Sequence, residues 1–398
     1  MYKRTDTPST WPGLPRAVAV CLVLIGSVLI GSWTAPHAQE QGAPASAPAT
    51  LSATWVNRTP AGAKTGVNQP AGSEDGSLIF DPVRGRVLLN GGKDDADLST
   101  KETWAFDSSA RTWEKIATPG KTPPASEDHT TIYDPNGHRM IVFGGENGPT
   151  TNKLWALDLK TNVWKEMTNP QVPRRESHTA VYDSRGKRMV IFGGIDRLVP
   201  DLREIWAMDL DPASPTFEKW QNLTVAEGQP AGRIDHAAVY DPVKNRMVFY
   251  GGWTKVRQGL FGDTWAFYFA DTPGGTGRWE RIDVGTAGPP PRRHAVGVYD
   301  PDRNLFLLFG GLGSNKNVPL NDMWAFDLTK DVWMKVVTPG PAPAPRIDHQ
   351  AIYDAGLHGL LLYGGDAMLD MDNAPKLHDV WELVLPPVES HSSSRGVQ

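Results

Sequence analysis

At 398 residues the chain is long enough for two or three average domains or for one large repeat array. Its formal net charge of −5, with charged residues at 21%, offers no basic excess for nucleic acid and no like-charge run for an interaction tail. Forty Gly and 34 Pro suit either disorder or a turn-rich fold, and 15 Trp decide for the second, because disordered chains are poor in aromatics.

From the N-terminus, Lys3, Arg4 and Arg16 precede an unbroken apolar stretch from Ala17 to Gly31. This is the pattern of an export signal over residues 1–38, and so of a secreted or periplasmic protein. Ala38 suits the last residue of a cleaved signal, but Pro36 stands where cleavage prefers a small side chain. A retained anchor, tethering the chain to a membrane through residues 17–31, is the alternative. Cys21 lies inside the stretch behind Val20, without the small residue that a lipid-modified cysteine follows. It is the only cysteine, so the exported part has no disulfide, thiolate metal site or cysteine nucleophile. Residues 39–51 are Ala/Pro/Ser-rich and read as a spacer; residues 386–398, with Pro386, Pro387 and Ser392 to Ser394, read as a disordered tail.

Between these segments one pattern recurs six times. It opens with an aromatic-Asp pair: Phe80-Asp81, Tyr133-Asp134, Tyr182-Asp183, Tyr240-Asp241, Tyr299-Asp300 and Tyr353-Asp354. An apolar run then ends in Gly-Gly at Gly91-Gly92, Gly144-Gly145, Gly193-Gly194, Gly251-Gly252, Gly310-Gly311 and Gly364-Gly365. Trp104, Trp155, Trp206, Trp265, Trp324 and Trp381 follow, and a second Trp comes after the first in five copies, at Trp113, Trp164, Trp220, Trp279 and Trp333. Each unit divides into four strand-length runs, such as His129–Tyr133, Met140–Phe143, Leu154–Leu159 and Val163–Met167. Asp134-Pro135-Asn136-Gly137 is turn chemistry between the first two runs. One such sheet cannot bury both faces alone, so the units must stack, with Trp packed between them. The Gly pair supplies positive φ or close backbone approach.

A hydrophobic strand closed by Gly-Gly, then Trp, then a second Trp, at a period of roughly 50 to 60 residues, resembles the kelch repeat. The resemblance covers about residues 52–385 and implies an all-β, six-bladed β-propeller. The sixth unit stops after its third run, Val380–Leu385, without a second Trp. Thr54–Pro60 carries the fourth-strand pattern of Arg111–Lys115 and Asp331–Lys335. Trp55 is therefore expected to complete the last blade and tie the ring shut.

The kelch resemblance also implies that the fourth-to-first and second-to-third connections share one face around the axis. Loops on a rigid scaffold are where binding residues gather. Five units open with His (His129, His178, His236, His294 and His349), while the first has Gly76. A residue repeated in this way points to a blade-end hydrogen bond rather than to a zinc set. Arg233 and Arg346, three residues before their His, fall under the same reasoning. The candidate ligand residues on this face are Glu74, Asp75, Glu127, Asp128, Arg175, Glu176, Arg233, Trp253, Arg292, Arg293 and Arg346. Acidic connections in units 6 and 1 (Asp366, Asp370, Asp372 and Asp379; Asp94, Asp95 and Asp97) oppose an arc in units 3 to 5 that adds Arg174, Lys255 and Arg257. The expectation is a half-acidic, half-basic rim. Asp94, Asp95, Asp370 and Asp372 are weak calcium candidates, since their spacing matches no known calcium loop.

Two functions fit. The first is an exported, monomeric binding or scaffold module for a protein or a glycan, with no cofactor and no nucleic-acid partner. The second is a sugar-processing enzyme, because six-bladed kelch propellers include a periplasmic sialic-acid mutarotase, whose reaction needs only an acid and a base. The chain lacks a Gly-x-Ser-x-Gly elbow, His-Glu-x-x-His, a P-loop and a dinucleotide fingerprint, which leans the reading away from an enzyme. Galactose oxidase, the other kelch enzyme class, is excluded: its copper-radical cofactor needs a cysteine crosslinked to tyrosine.

Overall fold

Apolar runs of about five residues are too short for helices and match the usual strand length. In the computed structural model every regular element is a strand, among the described residues 50–72, 74–168, 171–270, 275–315, 318–367 and 376–387. The export signal or anchor, most of the spacer, Asp370, Asp372 and residues 388–398 lie outside them. No helix among the described residues is long and apolar enough to cross a membrane.

Six antiparallel sheets of four strands each make the blades. The innermost strands are Ser77–Asp81, Thr130–Asp134, Thr179–Asp183, Ala237–Asp241, Val296–Asp300 and Gln350–Asp354. Each lies beside the next, and the sixth lies beside the first, so the ring is closed. Six hydrophobic clusters fill the six junctions between adjacent blades. This is why the second strands, such as Arg139–Phe143 and Arg188–Phe192, are apolar on both faces. The fourth-strand Trp of one blade packs on a second-strand aromatic of the blade before it. Trp220 meets Phe143 with ring centroids 5.3 Å apart, Trp279 meets Phe192 at 4.9 Å and Trp333 meets Tyr250 at 5.1 Å.

The same contact recurs at the N-terminal strand of the propeller. Thr54–Asn57 pairs antiparallel with Val380–Val384, with Trp55 opposite Leu383, and Trp55 packs on Phe309 of blade 5 at 5.1 Å. Thr50–Ser52 adds a parallel strand to the outer edge of blade 5, beside Lys335–Val337. The spacer expected over residues 39–51 therefore ends early, because Thr50 and Leu51 belong to a sheet. The expected tail also begins later than Pro386, whose carbonyl accepts from Arg303 Nε at 3.0 Å.

Repeated polar residues hold the turns. The buried Asp183 carboxylate accepts from the N–H groups of Arg185 and Gly186 and pairs with Arg188 Nε at 2.7 Å. Asp241 does the same in its blade, and Asp134 accepts from the Asn136 N–H and pairs with Arg139. At the Gly pair the backbone is left-handed. A Cβ on Gly145, at φ +88°, would stand 2.5 Å from the Glu127 carbonyl oxygen, so no other residue fits.

The axial mouth as candidate functional site

Every fourth-to-first connection reaches the axis through one residue with a left-handed backbone. In chain order these are Asp75, Asp128, Ser177, Asp235, His294 and Asp348, with φ between 52° and 55°. Short polar residues tolerate that conformation, which accounts for the residue types found. Five backbone hydrogen bonds link them around the axis. Asp128 N–H donates to Asp75 O at 3.1 Å, Ser177 to Asp128 at 3.2 Å, Asp235 to Ser177 at 3.1 Å and His294 to Asp235 at 3.1 Å. Asp75 donates to Asp348 at 3.0 Å. The preceding residue in each blade bridges to the one just after the Gly pair: Glu74 to Lys93, Glu127 to Glu146, Glu176 to Ile195, Ile234 to Trp253, Arg293 to Leu312 and Ile347 to Asp366. Both sets of loops thus meet on one face. The six ring side chains line a cavity of about 170 Å³ together with His129, His178, His236 and His349.

His294 corrects the expected column of five histidines. Its structural equivalents are the aspartates of the ring, and Ala295 occupies the place of His236 and His349, packed against the second Gly of its pair. The remaining four histidines are buried, and three of them pack edge-on against aromatics, His178 on Phe143, His236 on Phe192 and His349 on Phe309. Burial pushes His129 down to about 4 and His349 down to about 3, and holds His178 and His236 well below the usual imidazole range. Thr130 Oγ1 and Thr179 Oγ1 meet the Nε2 atoms of His178 and His236 at 2.8 and 2.7 Å.

His294 behaves oppositely. Its Nδ1 lies 2.5 Å from Asp348 and its Nε2 3.4 Å from Asp235. Burial disfavours the imidazolium, but the two carboxylates outweigh it and hold the ring up to about 9. In return His294 overcomes burial at Asp348 and keeps that carboxyl below its ordinary range. Burial, then the neighbouring carboxylates, raises Asp75 well above that range and Asp128 to about 7. Lys93 sits over this side of the ring, 3.5 Å from Asp75 and 3.4 Å from Glu127, and these anions raise it despite burial. Burial, then a hydrogen bond shared with Glu146, pushes Glu176 up to about 8.

Of the expected ligand residues, Asp75, Asp128, Glu127 and Glu176 are brought together at this mouth. Glu74 is buried beside them and ion-paired with Lys376. Trp253 and Arg293 also meet, the guanidinium 5.1 Å above the ring. Arg175, Arg233, Arg292 and Arg346 are placed elsewhere. Each is at most 1% exposed and donates to the first Gly carbonyl of its own blade at 2.7–2.9 Å. Each also pairs with a carboxylate before the third-strand Trp, respectively Glu204, Asp263, Asp322 and Asp379. They tie the two loops of a blade together, and the basic arc expected on blades 3 to 5 loses Arg175 and Arg292. Of the weak calcium candidates, the two described residues are engaged by other partners. Asp94 caps the N–H groups of Ala96 and Leu98, and Asp95 pairs with His378 at 2.9 Å. Glu74, Asp75 and Asp348 do bring carboxylate oxygens within 4.8 Å of one another, but Lys376 and His294 already neutralise two of them. A larger groove of about 1200 Å³ lies along the outer strands of blades 2 to 4 and contains no residue of the mouth.

Six Gly-Gly blades stacked through Trp, with paired loops around a polar axial mouth, define a kelch-type propeller. The chain belongs to the KLHDC2/KLHL20/DRC7 Kelch-repeats domain family, which matches residues 77–215 and 213–386. It is similar to the flagellar outer arm dynein alpha chain of Chlamydomonas reinhardtii, 33% identical over 147 residues, which are 36% of this chain and 3% of that one. It is also similar to Kelch domain-containing protein 3 of Rattus norvegicus, 28% identical over 248 residues, which are 61% of this chain and 62% of that one. The chain therefore spans less than two thirds of either relative. Among solved structures it shares the fold of YjhT, with a TM-score of 0.59 and 14% identity, covering 82% of this chain and 97% of that one.

Proposed function

We propose that the chain is an exported, non-enzymatic binding module that recognises a protein or a glycan through its loop face, seating a cationic group of the ligand in the axial mouth. One observation carries the reading: four aspartates converge on a cavity of about 170 Å³, well under the roughly 300 Å³ at which pockets begin to enclose whole small molecules. Such a cavity admits the end of a side chain or an amino substituent. An ammonium there would let Asp75 and Asp128 ionise, so its binding should release protons. Lys93 and His294 offset only part of the acidic charge. The test is a thermal-shift series with a lysine-terminated peptide, glucosamine and glucose, on the parent and on Asp235→Asn/Asp348→Asn. Amine-bearing ligands should raise the melting temperature of the parent, the lysine peptide more at pH 8 than at pH 6 because its ammonium stays charged throughout, and leave the double variant unmoved. Equal shifts in both proteins, or none with any amine, would refute axial recognition.

A sugar-processing enzyme of the mutarotase type has one observation in its favour. Asp128 near 7 and protonated His294 stand in the same cavity as ionised Asp348, which is an acid and a base in one place. Exchange of sugar anomers, followed by NMR, that is accelerated by the parent and abolished by Asp348→Asn would favour it.

A further inference from the structure

We infer that the second-to-third loops of blades 3 and 4 form a preorganised ridge that docks an acidic, apolar-studded segment of a partner protein. The inference rests on the reading of the loop face as a binding face and names the partner's chemistry at a second place on it.

At the tips of these two loops, Leu198, Val199 and Val256 are 79%, 52% and 67% exposed. Such side chains in neighbouring loops form an apolar patch rather than isolated surface residues. Around them stand the exposed cations Arg174, Arg197, Arg203, Lys255 and Arg257. The acids within the loops are already engaged. Asp201 accepts from Thr254 Oγ1 at 2.6 Å and from the N–H groups of Lys255 and Val256 at 2.8 and 2.9 Å, and Asp196 pairs with Arg174 at 3.5 Å. Arg197 reaches Glu146 of the blade 2 loop at 3.8 Å, and Arg203, Lys255 and Arg257 leave the tips with positive charge facing water.

Asp201 also clasps the two loops into one unit. The blade 4 loop is itself a hairpin, with Trp253 opposite Leu260 and Thr254 opposite Gly259. The blade 3 loop closes on itself through the Asp196 and Val199 backbones, at 3.1 and 3.2 Å. A ridge fixed in this way lowers the ordering cost of binding. Its apolar centre and cationic border are complemented by apolar side chains set among carboxylates. A planar anionic bilayer fits less well, because the same face carries the acidic mouth together with the exposed Asp95 and Asp97. A narrow segment engages blades 3 and 4 without meeting them.

The test is fluorescence anisotropy with a labelled dodecapeptide of Glu-Glu-Leu repeats. Lys-Lys-Leu and Ser-Ser-Leu peptides and phosphatidylserine-rich vesicles serve as controls. The acidic peptide should bind and weaken as salt rises from about 0.05 to 0.3 M. Arg197→Glu/Lys255→Glu/Arg257→Glu should weaken it about tenfold or more. Leu198→Ser/Val256→Ser should weaken it several-fold at every salt concentration, with melting temperatures unchanged because all five side chains are exposed. No binding of the acidic peptide, equal binding of the basic one, indifference to the charge reversals, or a preference for vesicles overturns the ridge. Asp235→Asn/Asp348→Asn should bind the acidic peptide like the parent. Loss of amine recognition in that variant, with the ridge variants also indifferent, leaves axial recognition standing and removes the ridge alone.

Discussion

Replacing His294 with Gln removes the one ring cation, set between Asp348 at 2.5 Å and Asp235 at 3.4 Å. A rise from 6.5 to about 9 corresponds to about 3 kcal/mol of preference for the charged ring. The side chain is 21% exposed, so screening reduces this to about 2 kcal/mol. The sign follows from linkage. A folded-state value raised above the unfolded one gives stability that is complete below pH 6.5 and disappears as pH rises through 9. The variant also leaves Asp235 and Asp348 side by side without their counter-ion, so one of them must keep its proton at neutral pH. Urea denaturation of parent and variant from pH 5 to 10 measures the difference. The gap should be widest, about 2 kcal/mol, between roughly pH 6 and 8. Above that it closes as the parent imidazole discharges, and toward pH 5 it narrows as the variant's carboxyls take up protons. A gap that stays constant across the whole range would mean that Gln cost only packing, and that no imidazolium bridges the two aspartates.

Two further perturbations test the scaffold. Trp55→Ala removes a side chain only 3% exposed from the junction of blades 5 and 6 and should cost about 3–5 kcal/mol in urea denaturation. It should also open the Val380–Val384 edge to limited proteolysis, and an unchanged melting temperature with no new cleavage there would count against the strand's role in holding the ring. Arg233→Ala leaves Asp263 and the Gly251 carbonyl without their buried donor, and should cost about 3–5 kcal/mol. Adding Asp263→Asn should restore part of it, and a double variant no better than the single one would deny that Asp263 is the partner.

The fold was legible because its signals act locally. A Gly pair, a turn Asp and a Trp each have a job within one blade or its junction, so six copies in register suffice to infer the stacking. Arg233 and Arg346 read as structural from their place three residues before a His, but Arg175, Arg292 and the partners of all four were harder. A charge in a loop reads as solvated, and only the closed blade reveals that it reaches a carbonyl 18 residues on. Their polar partners are likewise remote in sequence: Asp263 and Asp322 each stand 30 residues beyond their arginine. No periodicity of short range reports such a pair.

The misplaced histidine shows what a better alignment of the blades would have used. Aligning the units on His puts His294 beside His236 and makes blade 5 look ordinary. Aligning them on the arginine, whose distance to the first Gly is 18 in all four blades that carry it, shifts blade 5 by one residue. Ala295 then falls in the histidine column and His294 among Asp75, Asp128, Asp235 and Asp348. The choice between the two alignments is physical. The arginine makes three directed contacts that fix its distance to the Gly pair, whereas His178, His236 and His349 pack edge-on against aromatic rings, a non-directional role that an alanine can vacate at blade 5 and a glycine at blade 1. The more constrained residue is the better ruler. Measured with it, blade 5 joins blade 1 as irregular, and its His294 falls at the axis, where a cation stands among carboxylates, so this second break in the repeat coincides with the chemistry of the mouth.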